Sequence, residues 1–246
     1  MSEGALGDAL AAVAGDWSHV TFVAGDPPGG EGWIGVDELL AGPALDRCVE
    51  AMLAGEAKGA RDVAGSYLSA WLGGILAGPV AAAFRRDGRV WSLAPADLAL
   101  RPHALGWFDG YAVRRERLRR VDLDSFADEL VALLAPVFAA IRSRVPYGLA
   151  GMWGSVADAL EAGDPALVDA LAARVPRLRA RPRFQPVHWS GGVHRTLVRG
   201  TCCLWYKVYE GEADPAGEGY CTSCPHRSDG SRATRMAAWL EAGEAV

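Results

Sequence analysis

The stretch VAGSYLSAWLGGILAGPVAAAF, residues 63–84, contains no charged side chain. A stretch of this length and composition is long enough to cross a bilayer. However, it is interrupted by Gly73-Gly74 and by Gly78-Pro79, and the mean hydropathy of the whole chain is only +0.07. A buried core helix that ends near Gly78 therefore fits better than a transmembrane span, although peripheral association with a membrane stays open.

Helical patterns flank this segment on both sides. Leu6, Leu10 and Val13 share one face of a helix predicted over the first fourteen residues. Pro43 opens a helix that reaches Ala54, because proline is tolerated at the first helical position. A further helix is predicted at 126–141, with Asp124 or Ser125 as its N-cap and a kink at Pro136. Two more helices are predicted, one at 146–160 and one at 165–174 with Asp164 as its N-cap.

One β-hairpin is predicted in this part of the chain. The segment AAFRRDGRVWSL, residues 82–93, would turn at Asp87-Gly88. Six or seven helices with one hairpin fit a mainly α (α+β) fold better than a parallel sheet with alternating helices. Half of the 246 residues are hydrophobic and 22% are charged, which is the composition of a folded domain.

The composition changes after Val175. The stretch PRLRARPRFQP, residues 176–186, contains four arginines and three prolines, which favours an extended connector over a helix. We therefore divide the chain into a mainly helical body, residues 1–175, and a connector with a small carboxy-terminal module, residues 176–246.

The net charge of the chain bears on its class of partner, and its amino-terminal residues bear on its expected compartment. The chain has 25 basic and 30 acidic residues, which argues against nucleic-acid binding because phosphate neutralisation needs a basic excess. Glu3 and Asp8 stand where a secretory signal would be basic and then apolar, so no signal peptide is expected. The expected compartment is the reducing cytoplasm, where clustered thiols serve metal binding or redox chemistry more often than disulfides.

Four of the five cysteines fall in one short segment, RGTCCLWYKVYEGEADPAGEGYCTSCPHR, residues 199–227. Cys202 and Cys203 are adjacent, seventeen residues follow, and Cys221 and Cys224 then form a CxxC pair. Four thiolates suit either a tetrahedral zinc ion or a [2Fe–2S] cluster. Neighbouring side chains of a strand point to opposite faces, so adjacent cysteines can serve one centre only if the backbone bends. Gly200 and the residue after it could supply that bend.

The adjacent pair favours the larger of the two cofactors. A structural zinc site usually takes two CxxC-type pairs, whereas a diiron cluster offers two irons and accepts ligands that lie further apart. The fifth cysteine, Cys48, lies inside a predicted helix beside apolar residues and is expected to be a small core residue.

The cysteine segment resembles the carboxy-terminal signature of the FhuF-type ferric siderophore reductases, which hold a [2Fe–2S] cluster through a vicinal Cys-Cys pair and a later CxxC pair. Cys202 and Cys203 match the vicinal positions, and Cys221 and Cys224 match the later ones. The spacer is longer here than in the founding members of the family. The excess fits an inserted loop at 210–219, because the closure entropy of a loop grows only logarithmically with its length.

The resemblance implies an oxidoreductase that reduces ferric siderophores by one electron and so releases ferrous iron, with the helical body forming the substrate region. No catalytic side chain is implied beyond the cluster, and the chain has no nucleotide-binding fingerprint. Electrons would therefore come from a separate donor such as a ferredoxin or a flavin reductase. Nearby cations would compensate the cluster's charge or dock the substrate or the donor: Arg195, Arg199, Lys207, His226 and Arg227.

Two other functions remain open at the level of the sequence. In the first, the same four cysteines bind zinc and brace a non-enzymatic binding module. In the second, they bind an iron–sulfur cluster that relays electrons or senses iron without reducing siderophores.

Overall fold

The uncharged segment lies inside one long helix, α4 (Arg61–Asp87), in the computed structural model, which describes residues 4–29, 32–115, 117–161, 163–178, 180–209 and 219–243. Within these ranges α4 alone is long and apolar enough to span a membrane, with a mean hydropathy of 1.4 over its most apolar window. However, 67% of that window is buried inside the protein. The described part of the chain therefore has no clear transmembrane span.

Helix α4 continues to Asp87, so the expected end near Gly78 is wrong. Pro79 is buried within the helix and lacks the backbone N–H that would continue the hydrogen-bond ladder. The glycine before it lets Trp17 pack directly on the helix backbone, since a Cβ at Gly78 would lie 2.3 Å from Trp17 Cζ2. This close packing helps to offset the missing hydrogen bond.

The predicted hairpin at Asp87-Gly88 is also wrong. Gly88 has a φ of 67° and caps the C-terminus of α4, with its N–H donating to Phe84 O at 2.7 Å. A left-handed glycine ends helices as well as hairpin turns, so the same dipeptide fits both structures. The strand that follows, β3 (Arg89–Val90), pairs with the distant strand β6 (Arg119–Arg120).

The described part of the chain is 53% helical with eight helices, which confirms the mainly α (α+β) class. Seven of these eight precede the connector, against the six or seven that the sequence predicts. The helices other than α4 are α1 (Gly4–Ala14), α2 (Val36–Ala41), α3 (Ala44–Ala54), α5 (Leu123–Arg142), α6 (Leu149–Glu161), α7 (Pro165–Arg174) and α8 (Asp229–Glu241).

The helix caps follow the expected chemistry, with one change of residue. Asp164 caps α7 as predicted, since its Oδ1 accepts the N–H of Leu167 at 3.0 Å. The cap of α5 is Asp122, whose Oδ1 accepts the N–H of Ser125 at 2.7 Å, so the predicted caps Asp124 and Ser125 are wrong. The acceptor must precede the first helical residue, and Asp122 holds that position.

A mixed four-stranded sheet lies among the helices of the body, and the sequence did not predict it. Its order is β1-β5-β4-β2, with β1 parallel to β5 and the other two pairings antiparallel. Its strands are short, and the two inner ones, β4 and β5, are mostly buried, so they show little alternation of apolar and polar residues. They are β1 (Thr21–Ala24), β2 (Ile34–Gly35), β4 (Leu98–Pro102) and β5 (Phe108–Val113).

The core of the body forms around α4, which packs closely against α6. Gly73 lets the two helices approach, since a Cβ there would lie 2.7 Å from Val156 Cγ2. Gly65 makes a similar approach to the chain just before α6, where a Cβ would meet Val145 and Tyr147 at 2.7 Å. Side chains of α4, α5 and α6 share one continuous apolar cluster with the sheet.

Residues 183–198 form a further two-stranded sheet that the sequence did not predict, and the connector expected over residues 176–186 overlaps its first strand. Strands β7 (Arg183–Trp189) and β8 (Gly192–Val198) form an antiparallel hairpin, and α8 packs against β7. The vicinal cysteines follow β8, and the CxxC pair precedes α8. The division of the chain at residue 175 into two domains stays a prediction.

Candidate metal centre

The four clustered cysteines come together at one place in the fold. Cys202 Sγ lies 3.6 Å from Cys224 Sγ. The Nη2 atom of Arg199 donates to the sulfurs of the other two, at 3.0 Å to Cys203 and 2.9 Å to Cys221. All four are free thiols, and they join two sequence motifs that are seventeen residues apart.

The vicinal pair is held by a carboxylate of α6. Asp158 Oδ1 accepts the N–H of Gly200 at 2.6 Å, and its Oδ2 accepts the hydroxyl of Thr201 at 2.6 Å. The predicted bend at the cysteines occurs just after them, because Leu204 is left-handed with a φ of 61°. A left-handed non-glycine residue costs on the order of 1 kcal/mol, so the surrounding contacts must hold it there.

The CxxC loop is held by a buried arginine of α8. Arg232 has no exposed surface, and it donates to three backbone carbonyls of the loop. The distances are 2.9 Å from Nε to Thr222 O, 2.7 Å from Nη2 to Cys224 O and 2.8 Å from Nη2 to Arg227 O. The remaining nitrogen binds Gln185 Oε1 of β7 at 2.8 Å, so the loop, the hairpin and α8 are joined through one side chain.

One backbone hydrogen bond links the two cysteine motifs directly. The N–H of Arg199 donates to Ser223 O, between the two CxxC cysteines, at 2.9 Å. The N–H of Cys224 donates to Cys221 O at 3.1 Å and closes the tight turn of the CxxC pair. The sulfurs therefore meet on a framework that the backbone itself fixes.

The thiols differ in acidity because they differ in their hydrogen bonds. The thiol of Cys224 holds the pKa of Cys202 at about 7, below its usual value, with help from the N–H of Leu204 at 3.4 Å. The hydrogen bond with Cys221, together with burial, raises the pKa of Cys203 well above the ordinary range. Burial raises the pKa of the distant Cys48 to about 11, although the charge of Arg47 lowers it somewhat, as expected of a core residue of α3.

Two buried hydrogen-bond donors beside these thiols have no partner among the described residues. They are Arg199 Nε and Thr222 Oγ1. Buried donors in native proteins are nearly always satisfied, and an unmade hydrogen bond costs about 1–3 kcal/mol. Sulfur atoms accept such hydrogen bonds around iron–sulfur clusters. Four convergent thiols with unmet donors beside them fit the donor set and surroundings of a [2Fe–2S] group.

Within the described ranges, no three Cys, His, Asp or Glu side chains form a group that could hold a metal ion as they are placed. The 3.6 Å approach of Cys202 Sγ to Cys224 Sγ instead joins one cysteine of each motif. The identity of the bound group therefore rests on the donor chemistry, and the four cysteines as its ligands stay a prediction.

The predicted docking cations do not all have the same surroundings. Arg195 and His226 are exposed, and the Arg195 guanidinium lies 4.5 Å from the centre of the Phe184 ring. Lys207 is exposed too, but its ammonium forms an ion pair with Asp62 of α4.

The other two cations, Arg199 and Arg227, face the protein rather than the solvent. Arg227 is only 2% exposed, and its Nε donates to Cys221 O at 3.3 Å. Its Nη1 donates to Ser231 Oγ at 2.7 Å. Arg227 therefore braces the cysteine loop and offers almost no surface to an incoming molecule, while Arg199 lies against the thiols themselves.

A cavity of about 240 Å³ opens beside the vicinal pair. It lies between α4, α6 and β8, and its wall includes Ser66, Asp158, Arg199, Cys202 and Cys203. Tyr147 also lines it and donates from its hydroxyl to Cys202 O at 3.3 Å. This cavity gives small molecules or part of a larger one access to the sulfur side of the module.

Sequence reasoning missed Asp158 and Arg232, which hold the two cysteine loops. Asp158 follows Gly154 by four residues, which places both on one face of α6. This spacing could have indicated a helix face that receives another segment of the chain. Arg232 binds mainly backbone carbonyls, whose positions no pattern of side chains reveals.

No protein-family model and no curated protein matches this chain.

Proposed function

We propose that this chain is a [2Fe–2S] ferric siderophore reductase of the FhuF type, acting in the cytoplasm. The observation that carries the proposal is the meeting of four thiols from two motifs around Arg199. The unmet donors at Arg199 Nε and Thr222 Oγ1 add to it, because sulfur atoms can accept their hydrogen bonds. Cys202, Cys203, Cys221 and Cys224 are the ligands under this proposal.

The bound group would supply a one-electron carrier. Hydroxamate and catecholate oxygens bind Fe³⁺ far more strongly than Fe²⁺, because the lower charge weakens every bond to oxygen. One electron passed to the chelated ferric ion therefore releases it as ferrous iron. The transfer needs no proton donor, base or nucleophile from the protein.

The side chains of the site have electrostatic and positioning tasks. Arg199 carries a permanent positive charge against two sulfurs, and such a charge favours an added electron nearby. Asp158 fixes the loop of the vicinal pair, and Arg232 fixes the CxxC loop. The cavity at Cys202 and Cys203 is too small for a whole siderophore, so an iron-bearing arm would approach the thiols there.

The electron donor is a separate protein under this proposal, either a ferredoxin or a flavin reductase. Arg195 and His226 are the exposed cations of the predicted docking set, and Lys207 adds a third that Asp62 partly neutralises. A donor with an acidic surface would be steered towards such cations, and the rate would fall as salt is added.

Analysis of the purified protein tests the cofactor first. Protein isolated without oxygen should be reddish-brown and contain about two irons and two sulfides per chain. Its dithionite-reduced form should give an EPR signal. Cys221→Ser should lose the iron and Cys48→Ser, the matched control in the core, should keep it. A colourless wild-type protein with one zinc per chain would establish the structural alternative instead.

Rapid mixing then tests the reaction. The reduced protein should be reoxidised by ferric hydroxamates or catecholates within seconds, with one ferrous ion trapped by a colorimetric chelator for each electron delivered. An intact cluster that ferric siderophores do not oxidise would make the chain an electron relay or an iron sensor.

A further inference from the structure

We infer that the four thiols divide into two unequal pairs, and that Cys203 and Cys221, the pair beside Arg199, bind the iron that receives the electron. The inference rests on the proposed [2Fe–2S] cofactor. It goes further by assigning each cysteine to one of the two irons and a tuning role to Arg199.

The pairing follows from the distance between two of the sulfurs and from the position of Arg199. Cys202 Sγ lies 3.6 Å from Cys224 Sγ, which is close to the separation of two sulfurs on one tetrahedral iron with bonds of about 2.3 Å. The remaining two sulfurs, of Cys203 and Cys221, contact one and the same nitrogen of Arg199.

The two pairs differ in the charge next to them. Arg199 is cationic at every accessible pH and lies about 3 Å from both sulfurs of its pair. The pair of Cys202 and Cys224 has weaker support, because the buried Arg232 donates to the carbonyl of Cys224 rather than to its sulfur, and its charge is paired with Asp229. The N–H of Leu204 lies 3.4 Å from Cys202 Sγ, and the nearby Lys207 is exposed and paired with Asp62.

The difference in charge decides where the electron settles. Reduction by one electron takes the formal charge of a four-thiolate diiron group from −2 to −3, with no bond formed or broken. The added negative charge is stabilised most where a partly buried cation is closest, because Coulomb energy falls with distance and with solvent screening. Arg199 therefore favours reduction at the iron of Cys203 and Cys221 and raises the midpoint potential.

Substitution of Arg199 tests the tuning role. At a fixed solution potential, Arg199→Gln should lower the ratio of reduced to oxidised protein at least tenfold, which is about 59 mV for one electron. Arg199→Lys should keep most of the wild-type potential because it keeps the charge. Arg86→Gln is the matched control, since Arg86 is exposed in the last turn of α4 and belongs to neither the thiol site nor the predicted docking set. An unchanged potential in Arg199→Gln would overturn the tuning role.

A measurement on the wild-type protein tests the pairing without any substitution. In the reduced state, the cysteine β-protons next to the ferrous iron and those next to the ferric iron shift with temperature in opposite directions in paramagnetic NMR. The protons of Cys203 and Cys221 should behave alike and follow the ferrous pattern. Any other grouping would overturn the assignment. Wild-type protein without iron and sulfide would instead disprove the proposed function itself.

Discussion

Gly154 of α6 lies directly beneath Thr201, so closely that a Cβ at position 154 would come within 2.0 Å of Thr201 Cγ2. One turn later on the same helix face, Asp158 accepts the hydroxyl of Thr201 at 2.6 Å. The loop that carries the vicinal cysteines is thus seated on α6 by a close contact and a carboxylate together.

Gly154→Ala should displace this loop and lower the iron content of the purified protein. The added methyl group overpacks the contact with Thr201, at a cost of about 1–3 kcal/mol in the free energy of unfolding. Gly7→Ala is the control, because a Cβ on Gly7 of α1 meets nothing within 4 Å and alanine favours a helix by about 1 kcal/mol. Equal iron content in the two variants would show that the contact does not position the cysteines.

Arg232→Met should destabilise the cysteine module by at least about 3 kcal/mol, since three buried carbonyls lose their donor at about 1–3 kcal/mol each. The variant should unfold at lower denaturant and hold less iron. Arg183→Gln removes only an exposed ion pair with Asp229 and should change stability by less than about 1 kcal/mol. If the two variants had the same denaturant midpoint, the bracing role of Arg232 would be refuted.

The iron-free protein should show one fast-reacting thiol, that of Cys202. Thiolates are the reactive form, and the lowered pKa of about 7 makes Cys202 half ionised at neutral pH. Its alkylation rate should rise with pH and level off above pH 8, whereas Cys48, with its pKa raised to about 11, should react only on unfolding. Mass spectrometry of peptides after timed alkylation measures both rates. Faster labelling of Cys48 than of Cys202 would contradict the burial of Cys48 and the lowered pKa of Cys202.

Tyr111→Phe should weaken the body without affecting the metal centre. Tyr111 and Trp91 are both fully buried, and Trp91 Nε1 donates to the Tyr111 hydroxyl at 2.9 Å. Loss of that acceptor leaves a buried donor unpaired and costs about 1–3 kcal/mol. Thermal unfolding should shift to lower temperature while the iron content of the folded protein stays the same. A parallel loss of iron would show that the sheet of the body supports the cysteine site.

The sequence predicted the helices well because their apolar periods and caps are local. The pattern Leu6, Leu10 and Val13 lies on the buried face of α1, and Asp164 caps α7. Prediction from the sequence failed at Gly88, where one local signal fits both a helix end and a hairpin turn. It also failed for the mixed sheet, whose strands pair with partners that are distant in the sequence. The four cysteines were visible by type and spacing, whereas Asp158 and Arg232 act through contacts 42 and 10 residues away in sequence.

Three close-contact glycines of α4 limit how this helix can change in length. Gly65, Gly73 and Gly78 each admit a neighbour that a side chain would exclude, and they do so in three directions along one rod. A single inserted residue would rotate every later position of that rod by about 100° and turn these gaps away from Val156 and Trp17. Insertions between Gly65 and Gly78 should therefore be rejected.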